Sequence, residues 1–139
     1  MRTRVYNNKE QIFCDWRHKW VRLTPEEWVR QQLLHHLVEQ LGYPASLIAV
    51  EIPICVGEAK KRCDAVVYDH RMKPFMLIEC KAETVSLTQK TLDQAITYNR
   101  KLHVPFLLLN NGVQSIVVYL PSDTQPPQLL PAIPPYNPQ

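Results

Sequence analysis

The chain has 139 residues, of which 45% are hydrophobic and 21% are charged, and its formal net charge is +3. This length fits one domain with a real core, and the composition is that of a globular protein, which excludes a fibrous or low-complexity chain. At this length we do not expect the chain to hold a second, motor domain in addition to this one. A mildly basic charge is compatible with a nucleic-acid partner but does not indicate one, since many proteins without such a partner carry as much.

The cellular compartment can be predicted from what the sequence lacks. Met1 to Tyr6 contain two arginines, but no apolar run follows them. No stretch of about eighteen consecutive apolar residues occurs anywhere, so we expect neither a signal peptide nor a membrane span. Cys14, Cys55, Cys63 and Cys80 form no Cys-x-x-Cys pair, which argues against a zinc site or a disulfide framework. The sequence therefore predicts a cytoplasmic protein with reduced, buried thiols.

Residues 1 to 23 interleave basic and aromatic side chains. The basic residues are Arg2, Arg4, Lys9, Arg17, Lys19 and Arg22, with Trp16 and Trp20 among them. Cations beside aromatic rings can hold phosphates and stack on bases. Ile12 to Cys14 and Trp20 to Leu23 also fit a strand or hairpin packed on a sheet. We favour packing.

A helix is predicted to begin at Pro25. Thr24 is a good N-cap, proline suits the first helical position, and Glu27 at the third completes a capping box. An apolar stripe follows until Gly42 ends the helix; it consists of Val29, Leu33, Leu34, Leu37, Val38 and Leu41. Glutamates in a first turn commonly serve only the cap and the helix dipole.

Three strands are predicted next. Residues 47–56 alternate between apolar and polar, and Pro53 within them indicates an edge position or a bulge. Residues 57–61 are predicted to form a turn. The runs 62–69 and 75–82 are expected to form a hairpin closed by a turn that ends at Pro74.

The second half predicts a helix, two strands and a tail. The helix covers about residues 88–102, and 104–109 is a continuous apolar run, as expected for a strand buried on both faces. Residues 110–112 make a tight turn into an outer strand over 113–120. Residues 121–139 hold seven of the twelve prolines and no periodicity, which predicts an extended tail that is either disordered or a ligand for a groove. We therefore divide the chain into a domain over 1–120 and a proline-rich C-terminal tail over 121–139.

Charged side chains stand at the ends of two predicted strands. Glu79 and Lys81 project from the same face, because strand side chains alternate between faces. Asp64 on the neighbouring strand is expected to converge on Glu79. Two carboxylates are hard oxygen ligands that suit Mg²⁺ or Mn²⁺. The plain alternative is a cluster of ion pairs at the strand ends.

Asp64 followed by Glu79-Cys80-Lys81 resembles the signature of the PD-(D/E)xK nuclease superfamily. A cysteine, Cys63, precedes Asp64 where the superfamily's name has a proline, but the residue at that position is not a metal ligand. A wider set of motifs resembles, more narrowly, the N-terminal nuclease domain of type I restriction enzyme R subunits over roughly residues 10–120. These motifs are Thr24 to Gln31, Arg62-Cys63-Asp64, Ile78 to Ala82 and Asn110-Asn111-Gly112.

The resemblance implies a fold and an activity. The fold is an α/β restriction-endonuclease-like sandwich, a mixed central β-sheet flanked by helices with an αβββαβ core. The activity is hydrolysis of DNA phosphodiester bonds by an endonuclease that uses Mg²⁺, with Mn²⁺ as a substitute. The catalytic residues that it implies are Asp64, Glu79, Lys81, Gln94 and Tyr98.

Gln94 and Tyr98 lie four residues apart and so share a helix face. They resemble an additional motif of nucleases similar to the RecB type, although such a pair is also common on ordinary helix surfaces.

The resemblance also implies ligands for the metal ion and for DNA. The metal ligands would be Asp64, Glu79, the backbone carbonyl of Cys80 and, from the first helix, Glu27 or Glu26, of which we favour Glu27. The basic residues Lys60, Lys61 and Arg62 are expected beside this site, where they would contact the DNA backbone. The alternative is that these three residues lie in a solvent-exposed turn, as runs of basic residues usually do.

DNA is the partner that this interpretation predicts. In type I restriction enzymes the resembling domain works beside a motor and a sequence-reading subunit, so a motor or specificity protein is a candidate partner. A second copy of the chain is another, because one active site cuts one strand. No membrane partner is expected. Two alternatives stay open: a catalytically weak nuclease-fold module that binds DNA or a protein, and an assembly module that uses the proline-rich tail.

Overall fold

The computed structural model describes residues 1–56 and 59–137, without the side chains of 54–56 and 59–61. These residues form a small N-terminal sheet, a larger sheet and two α-helices. In chain order the elements are β1 Thr3–Tyr6, β2 Lys9–Cys14, β3 Lys19–Arg22, α1 Pro25–Glu39, β4 Ile48–Val56, β5 Ala59–Tyr68, β6 Pro74–Cys80, α2 Gln89–Leu102, β7 Phe106–Asn110, β8 Ser115–Tyr119 and β9 Gln128–Leu130.

The N-terminal sheet is an antiparallel meander in the order β1-β2-β3. The predicted strands around Ile12 and Val21 are confirmed, and β1 was not predicted. Ile12 and Cys14 are fully buried on one face, where the Cys14 sulfur accepts a hydrogen bond from Arg17 Nε at 3.2 Å. This face attaches the small sheet to the rest of the domain.

Helix α1 begins where its N-terminal signals predict. Thr24 Oγ1 accepts a hydrogen bond from the Glu27 amide at 3.0 Å, and Pro25 occupies the first turn. The helix ends at Glu39, and Gly42 then takes a φ of +74°, a left-handed conformation that glycine adopts at little cost. The leucines of its apolar stripe, Leu33, Leu34 and Leu37, are buried in the core.

The larger sheet is mixed, as predicted, with the strand order β4-β5-β6-β7-β8-β9. Strands β6 and β7 are parallel and joined through α2, whereas the other neighbours are antiparallel. Leu108 and Ile78 belong to the core cluster that includes α1, and Leu77 and Leu107 belong to the cluster that includes α2. The α/β sandwich with a helix layer on each face is confirmed, and β4 with Pro53 lies at the sheet edge, as predicted.

Two predicted boundaries are wrong. The predicted turn over 57–61 is too long, because β5 already begins at Ala59 and pairs with β4 from there; Gly57 and Glu58 lie outside the described residues. The strand predicted as outer, β8, is covered by β9, which pairs with it antiparallel. In both places backbone pairing extends into segments whose composition is typical of loops.

The expectation that residues 121–139 form an extended tail outside the core is wrong for the part that the structure describes. Leu130, Ile133 and Tyr136 pack against the core cluster that includes α1. The Tyr136 hydroxyl donates to the Tyr68 carbonyl at 3.1 Å, and the Tyr43 hydroxyl donates to the Pro134 carbonyl at 2.7 Å. The proline-rich segment is therefore a packed strap over the end of the domain, and we refer to residues 121–137 as the C-terminal strap.

The three described cysteines, Cys14, Cys63 and Cys80, are buried, as expected for buried thiols; the fourth, Cys55, has no described side chain. Neither of the helices in the described ranges is long and apolar enough to cross a membrane.

Candidate active site

The predicted convergence of Asp64 and Glu79 depends on the register of β5 and β6. Ala65 is paired with Ile78 in this antiparallel ladder, so one further step places Asp64 beside Glu79. The Cys80 amide donates a hydrogen bond to Asp64 Oδ2 at 2.7 Å. Asp64 and Glu79 are both half-buried. The aspartate side chain is therefore held against the end of the strand that carries the glutamate.

Strand alternation decides which face the charged residues of β6 occupy. Leu77 packs in the core cluster that includes Leu92 and Ala95 of α2. Glu79 and Lys81 continue the face of Leu77 because they follow it at two-residue steps. Lys81 is half-buried, and its amide donates to the Asn110 carbonyl at 2.9 Å at the end of β7. The Glu-x-Lys pair thus lies where β6 and β7 end, on the side of the sheet that α2 covers.

Arg30 of α1 connects the helix to the Asp64 strand. Its Nη1 donates to the Asp64 carbonyl at 3.3 Å. The rest of the guanidinium contacts Glu27 through Nε at 3.1 Å and through Nη2, and Nη2 also lies 3.3 Å from Glu51 Oε1. Arg30 is 7% exposed, so this contact holds the backbone of Asp64 from the side opposite α2.

Glu27, Arg30 and Glu51 form a larger ion-pair network with two further arginines. Arg17 Nη2 lies 2.7 Å from Glu27 Oε1, and Arg17 Nη1 lies 3.3 Å from Glu51 Oε2. Arg62 Nη2 also lies 3.3 Å from Glu51 Oε2. We call these five residues the arginine cluster. Its members come from the β2–β3 loop, α1, β4 and β5, so it joins the N-terminal sheet to the domain.

Glu27, which was predicted as a metal ligand, is engaged in ion pairs and hydrogen bonds in this arrangement. Arg17 and Arg30 donate to its Oε1, and Arg30 and Gln31 donate to its Oε2, the latter at 2.8 Å. Burial by itself would raise the pKa of this carboxyl, but the hydrogen bonds from Arg30, Arg17 and Gln31 outweigh it and lower the pKa to about 2. With both oxygens engaged by cationic or amide donors, Glu27 serves as the buried anion of the cluster.

Glu51 has an unusual backbone conformation opposite Asp64. Val50 pairs with Ala65 and Ile52 with Cys63, which places Glu51 across from Asp64, and its φ is +53°. A glutamate rarely adopts this left-handed conformation. Burial opposes ionisation of its carboxyl, but the charges of Arg17 and Arg30 prevail and lower its pKa.

The sequence interpretation missed Arg17, Arg30 and Glu51. Arg30 had a detectable signal, because it stands three residues after Glu27 and such pairs face each other on a helix. Arg17 and Glu51 had none, since they reach the cluster from distant segments.

The remaining predicted site residues are placed as follows. Gln94 and Tyr98 share one face of α2 and line a shallow cleft with Thr97 and Lys101. Arg62 is exposed on β5 and contacts Glu51. The side chains of Lys60 and Lys61 lie outside the described residues.

The donors near Asp64 bear on which metal ion would fit. Among the residues that the structure describes, no group of three or more histidine, cysteine, aspartate or glutamate side chains could hold a metal ion. Burial, followed by the nearby charge of Asp64, raises the pKa of the Cys80 thiol, so this sulfur is a poor ligand. What remains is a pair of carboxylates with backbone carbonyls, which are hard oxygen donors. Mg²⁺ commonly binds through one or two carboxylates and completes its shell with water and substrate phosphate, so these donors fit it.

We expect Glu27→Gln to lower the free energy of unfolding at pH 7 by about 3 kcal/mol, because it leaves buried arginines without their anion. The folded-state pKa of Glu27 lies below its ordinary value of 4.5, so its ionised form stabilises the fold above about pH 4.5. That contribution is lost as the pH falls toward 2, and the difference between parent and variant should shrink over this range.

Urea unfolding of both proteins at several pH values measures this effect. Glu26→Gln is the matched control, because Glu26 is the exposed neighbour in the same helical turn. Equal stability of the Glu27→Gln variant and the parent at pH 7 would contradict the role of Glu27 in the cluster.

Comparisons with known proteins relate this geometry to a family. A family model described as type I restriction enzyme R protein N terminus (HSDR_N) matches residues 25–134, which is most of the chain. No curated protein sequence matches the chain.

Two solved structures share its fold. One is a fragment of a presumed HsdR subunit of a type I restriction enzyme from Vibrio vulnificus YJ016, with a TM-score of 0.55 and 19% identity; the match covers 81% of this chain and 24% of that one. The other is a presumed nuclease of the DUF820 group from Anabaena variabilis ATCC 29413, with a TM-score of 0.51, 12% identity, and coverage of 88% and 77%. This chain thus spans about a quarter of the HsdR chain. At these identities the likeness concerns the fold alone.

Proposed function

We propose that this chain, which belongs to the type I restriction enzyme R protein N-terminal family, is a DNA endonuclease that uses Mg²⁺, or Mn²⁺ in its place. The observation that carries the proposal is the Cys80 amide that holds Asp64 Oδ2 at 2.7 Å. It agrees with the register of β5 and β6, in which the step after the Ala65–Ile78 pair brings Asp64 to Glu79. Glu79-Cys80-Lys81 then supplies a second carboxylate, a backbone carbonyl and a cation within three residues of one strand.

In this proposal Asp64, Glu79 and the carbonyl of Cys80 hold the ion. When bound, a divalent cation of this kind polarises a scissile phosphate and lowers the pKa of a coordinated water. The position of Asp64 is maintained by the Cys80 amide on its side chain and by Arg30 on its backbone carbonyl. These contacts fix one ligand before any ion arrives, which reduces the reorganisation that binding requires.

Lys81 would act on the attacking water or on the phosphate. Its position two residues after Glu79 puts both side chains on one face, so an ammonium group stands beside the carboxylates. It would orient or deprotonate the water and offset negative charge as it develops on the phosphate. Gln94 and Tyr98 of α2 would orient phosphate or water, and Arg62, Lys60 and Lys61 would contact the DNA backbone.

We also propose partners for this activity. One site cuts one strand, so a double-strand break needs two copies of the chain. A motor protein and a sequence-reading protein are proposed as further partners, on the analogy of type I restriction enzymes. We propose a cytoplasmic location for such an assembly.

Plasmid cleavage tests the proposal. We expect the purified protein with Mg²⁺ or Mn²⁺ to nick supercoiled plasmid slowly and with little sequence preference, and linear product should increase more steeply with protein concentration than nicked product does. EDTA should stop both. Binding should weaken steeply with salt, because phosphate contacts supply most of the affinity.

Discrete fragments at low protein concentration would contradict the absence of sequence preference. Metal and DNA binding without any cleavage would instead favour the catalytically weak binding module.

We expect Lys81→Ala to bind metal and DNA nearly as well as the parent but to cut about a hundredfold more slowly, the usual effect of losing a general base or a charge stabiliser. Single-turnover nicking rates at saturating protein measure the chemical step. Lys73→Ala, which removes an exposed lysine just before β6, at the end of that strand opposite Glu79, controls for a general loss of positive charge. If the Lys81→Ala variant cuts at the parental rate, the charge of Lys81 has only a structural role.

A further inference from the structure

One face of the N-terminal sheet is only partly covered, since Gln11, Phe13 and Trp20 on it are half-buried and its other residues are exposed. The β1–β2 register pairs Arg4 with Gln11 and Tyr6 with Lys9, and the β2–β3 register pairs Phe13 with Trp20 and Gln11 with Arg22. Paired residues project from the same face, and residues two apart on a strand share it. We call this the basic-aromatic face; its residues are Arg2, Arg4, Tyr6, Lys9, Gln11, Phe13, Trp20 and Arg22.

All the charges on the basic-aromatic face are positive. Arg2, Arg4, Lys9 and Arg22 are exposed. The one acidic residue of these strands, Glu10, is paired with Val5 and so lies on the opposite face. A surface with several cations and no carboxylate attracts a polyanion.

The aromatic rings on this face are stacked with the cations. The Arg2 guanidinium carbon lies 4.0 Å from the Phe13 ring centroid. The Arg4 guanidinium carbon lies 4.3 Å from the centroid of Trp20 and 4.8 Å from that of Tyr6, and Arg4 Nε donates to Gln11 Oε1 at 2.7 Å. The guanidinium groups of Arg2 and Arg4 are thus already held in place by these rings. Nucleic-acid bases stack on aromatic rings and on guanidinium planes alike.

The opposite face of the sheet already accounts for its attachment to the domain. Ile12 and Cys14 are fully buried there, whereas Tyr6 on the basic-aromatic face is 55% exposed. Phe13 and Trp20 pack edge to face on each other, with ring centroids 5.5 Å apart, but the exposed cations and Tyr6 of the basic-aromatic face are not needed for that attachment. The face also lies outside residues 25–134, which the family model matches.

We propose that the basic-aromatic face binds a single strand of nucleic acid, with the arginines and Lys9 on its phosphates and Tyr6 and the guanidinium planes stacked on its bases. A single strand fits better than a duplex, because unpaired bases expose the π-faces that such a platform stacks on. This site is separate from the carboxylates of β5 and β6, so it does not depend on the proposed cleavage.

Fluorescence anisotropy with a labelled oligodeoxythymidine of about 15 nucleotides, the upper range for one small binding fold, tests the proposal. The full chain is used in EDTA, so that metal-dependent cleavage does not interfere. We expect Arg4→Ala and Tyr6→Ala each to weaken binding about tenfold, the scale of one lost stacking contact. The slope of log affinity against log salt should also fall by about 0.7 for Arg4→Ala.

Two control variants change the same strands on the opposite face. Lys19→Ala removes a charge from β3, and Val5→Ala shortens an exposed apolar side chain of β1. Both should bind within about twofold of the parent, and circular dichroism should show the same fold in all four variants. An oligomer of abasic sites should bind about tenfold more weakly than oligodeoxythymidine, because it keeps the phosphates and lacks the bases.

Equal affinity for the abasic oligomer, tighter binding to duplex DNA, or an equal loss in Lys19→Ala and Arg4→Ala would each overturn the proposal. A chain that binds the oligonucleotide but never nicks plasmid would contradict only the proposed endonuclease.

Discussion

Glu79→Gln and Asp64→Asn are each expected to lower plasmid cleavage by about a thousandfold or more, because a lost metal ligand removes several kcal/mol of transition-state stabilisation. Each variant should also lose most of its affinity for Mn²⁺ in calorimetric titrations. The fold should survive both changes. In Asp64→Asn the amide oxygen can still accept the hydrogen bond that the Cys80 amide donates at 2.7 Å in the parent.

The control for these two variants is Glu83→Gln, which neutralises an exposed carboxylate shortly after Lys81 and should leave cleavage and Mn²⁺ affinity unchanged. Thermal melts in EDTA separate a lost ligand from a damaged fold. If Mn²⁺ titrations of both variants match the parent, Asp64 and Glu79 are not metal ligands and the ion-pair interpretation of this pair prevails.

Deletion of residues 121–139 is expected to lower the melting temperature by about 10 °C or more. Leu130, Ile133 and Tyr136 of the C-terminal strap pack against the core, and losing several such side chains costs about 4 kcal/mol or more. The Tyr136 ring lies 5.3 Å from that of Tyr43 and 5.6 Å from that of Phe75 between centroids. Arg100 also donates to the carbonyl oxygens of Ser122, Asp123 and Gln125.

A pair of point variants tests the same packing without removing chain. Leu129 and Leu130 are neighbours on β9, but Leu129 is 67% exposed whereas Leu130 packs against the core. Leu130→Ala should lower the free energy of unfolding by about 2 kcal/mol, and Leu129→Ala by no more than about 0.5 kcal/mol. Unfolding in urea measures both. A truncated protein that melts at the parental temperature would show that the strap is not part of the folded core.

The elements of the domain were predictable because their signals are local. Thr24-Pro25-Glu26-Glu27 marks a helix start through one side chain and one backbone amide, and α1 does begin there. The run 104–109 predicted a buried strand because a continuous apolar run is expected of a strand that is covered on both faces. Leu107, Leu108 and Leu109 of β7 are indeed buried.

The errors arose where long-range pairing overrides composition. Prolines and the absence of periodicity suggested a free tail, yet three residues, Gln128–Leu130, pair with β8 and cover its open edge. An unpaired strand edge supplies hydrogen bonds to any extended segment that reaches it. Whether a segment lies next to such an edge depends on the tertiary fold and not on the local sequence.

By itself the sequence determined the helices, most of the strands and the pairing of Asp64 with the Glu79-Cys80-Lys81 strand, because capping, alternation and turn signals act over a few residues. Only the tertiary structure decided that Glu27 is the buried anion of the arginine cluster. Arg17 and Glu51 approach Glu27 and Arg30 from segments far away in the chain. A carboxylate's role as ligand or ion-pair partner depends on which charges the fold brings within a few ångströms of it, and local sequence does not specify those distances.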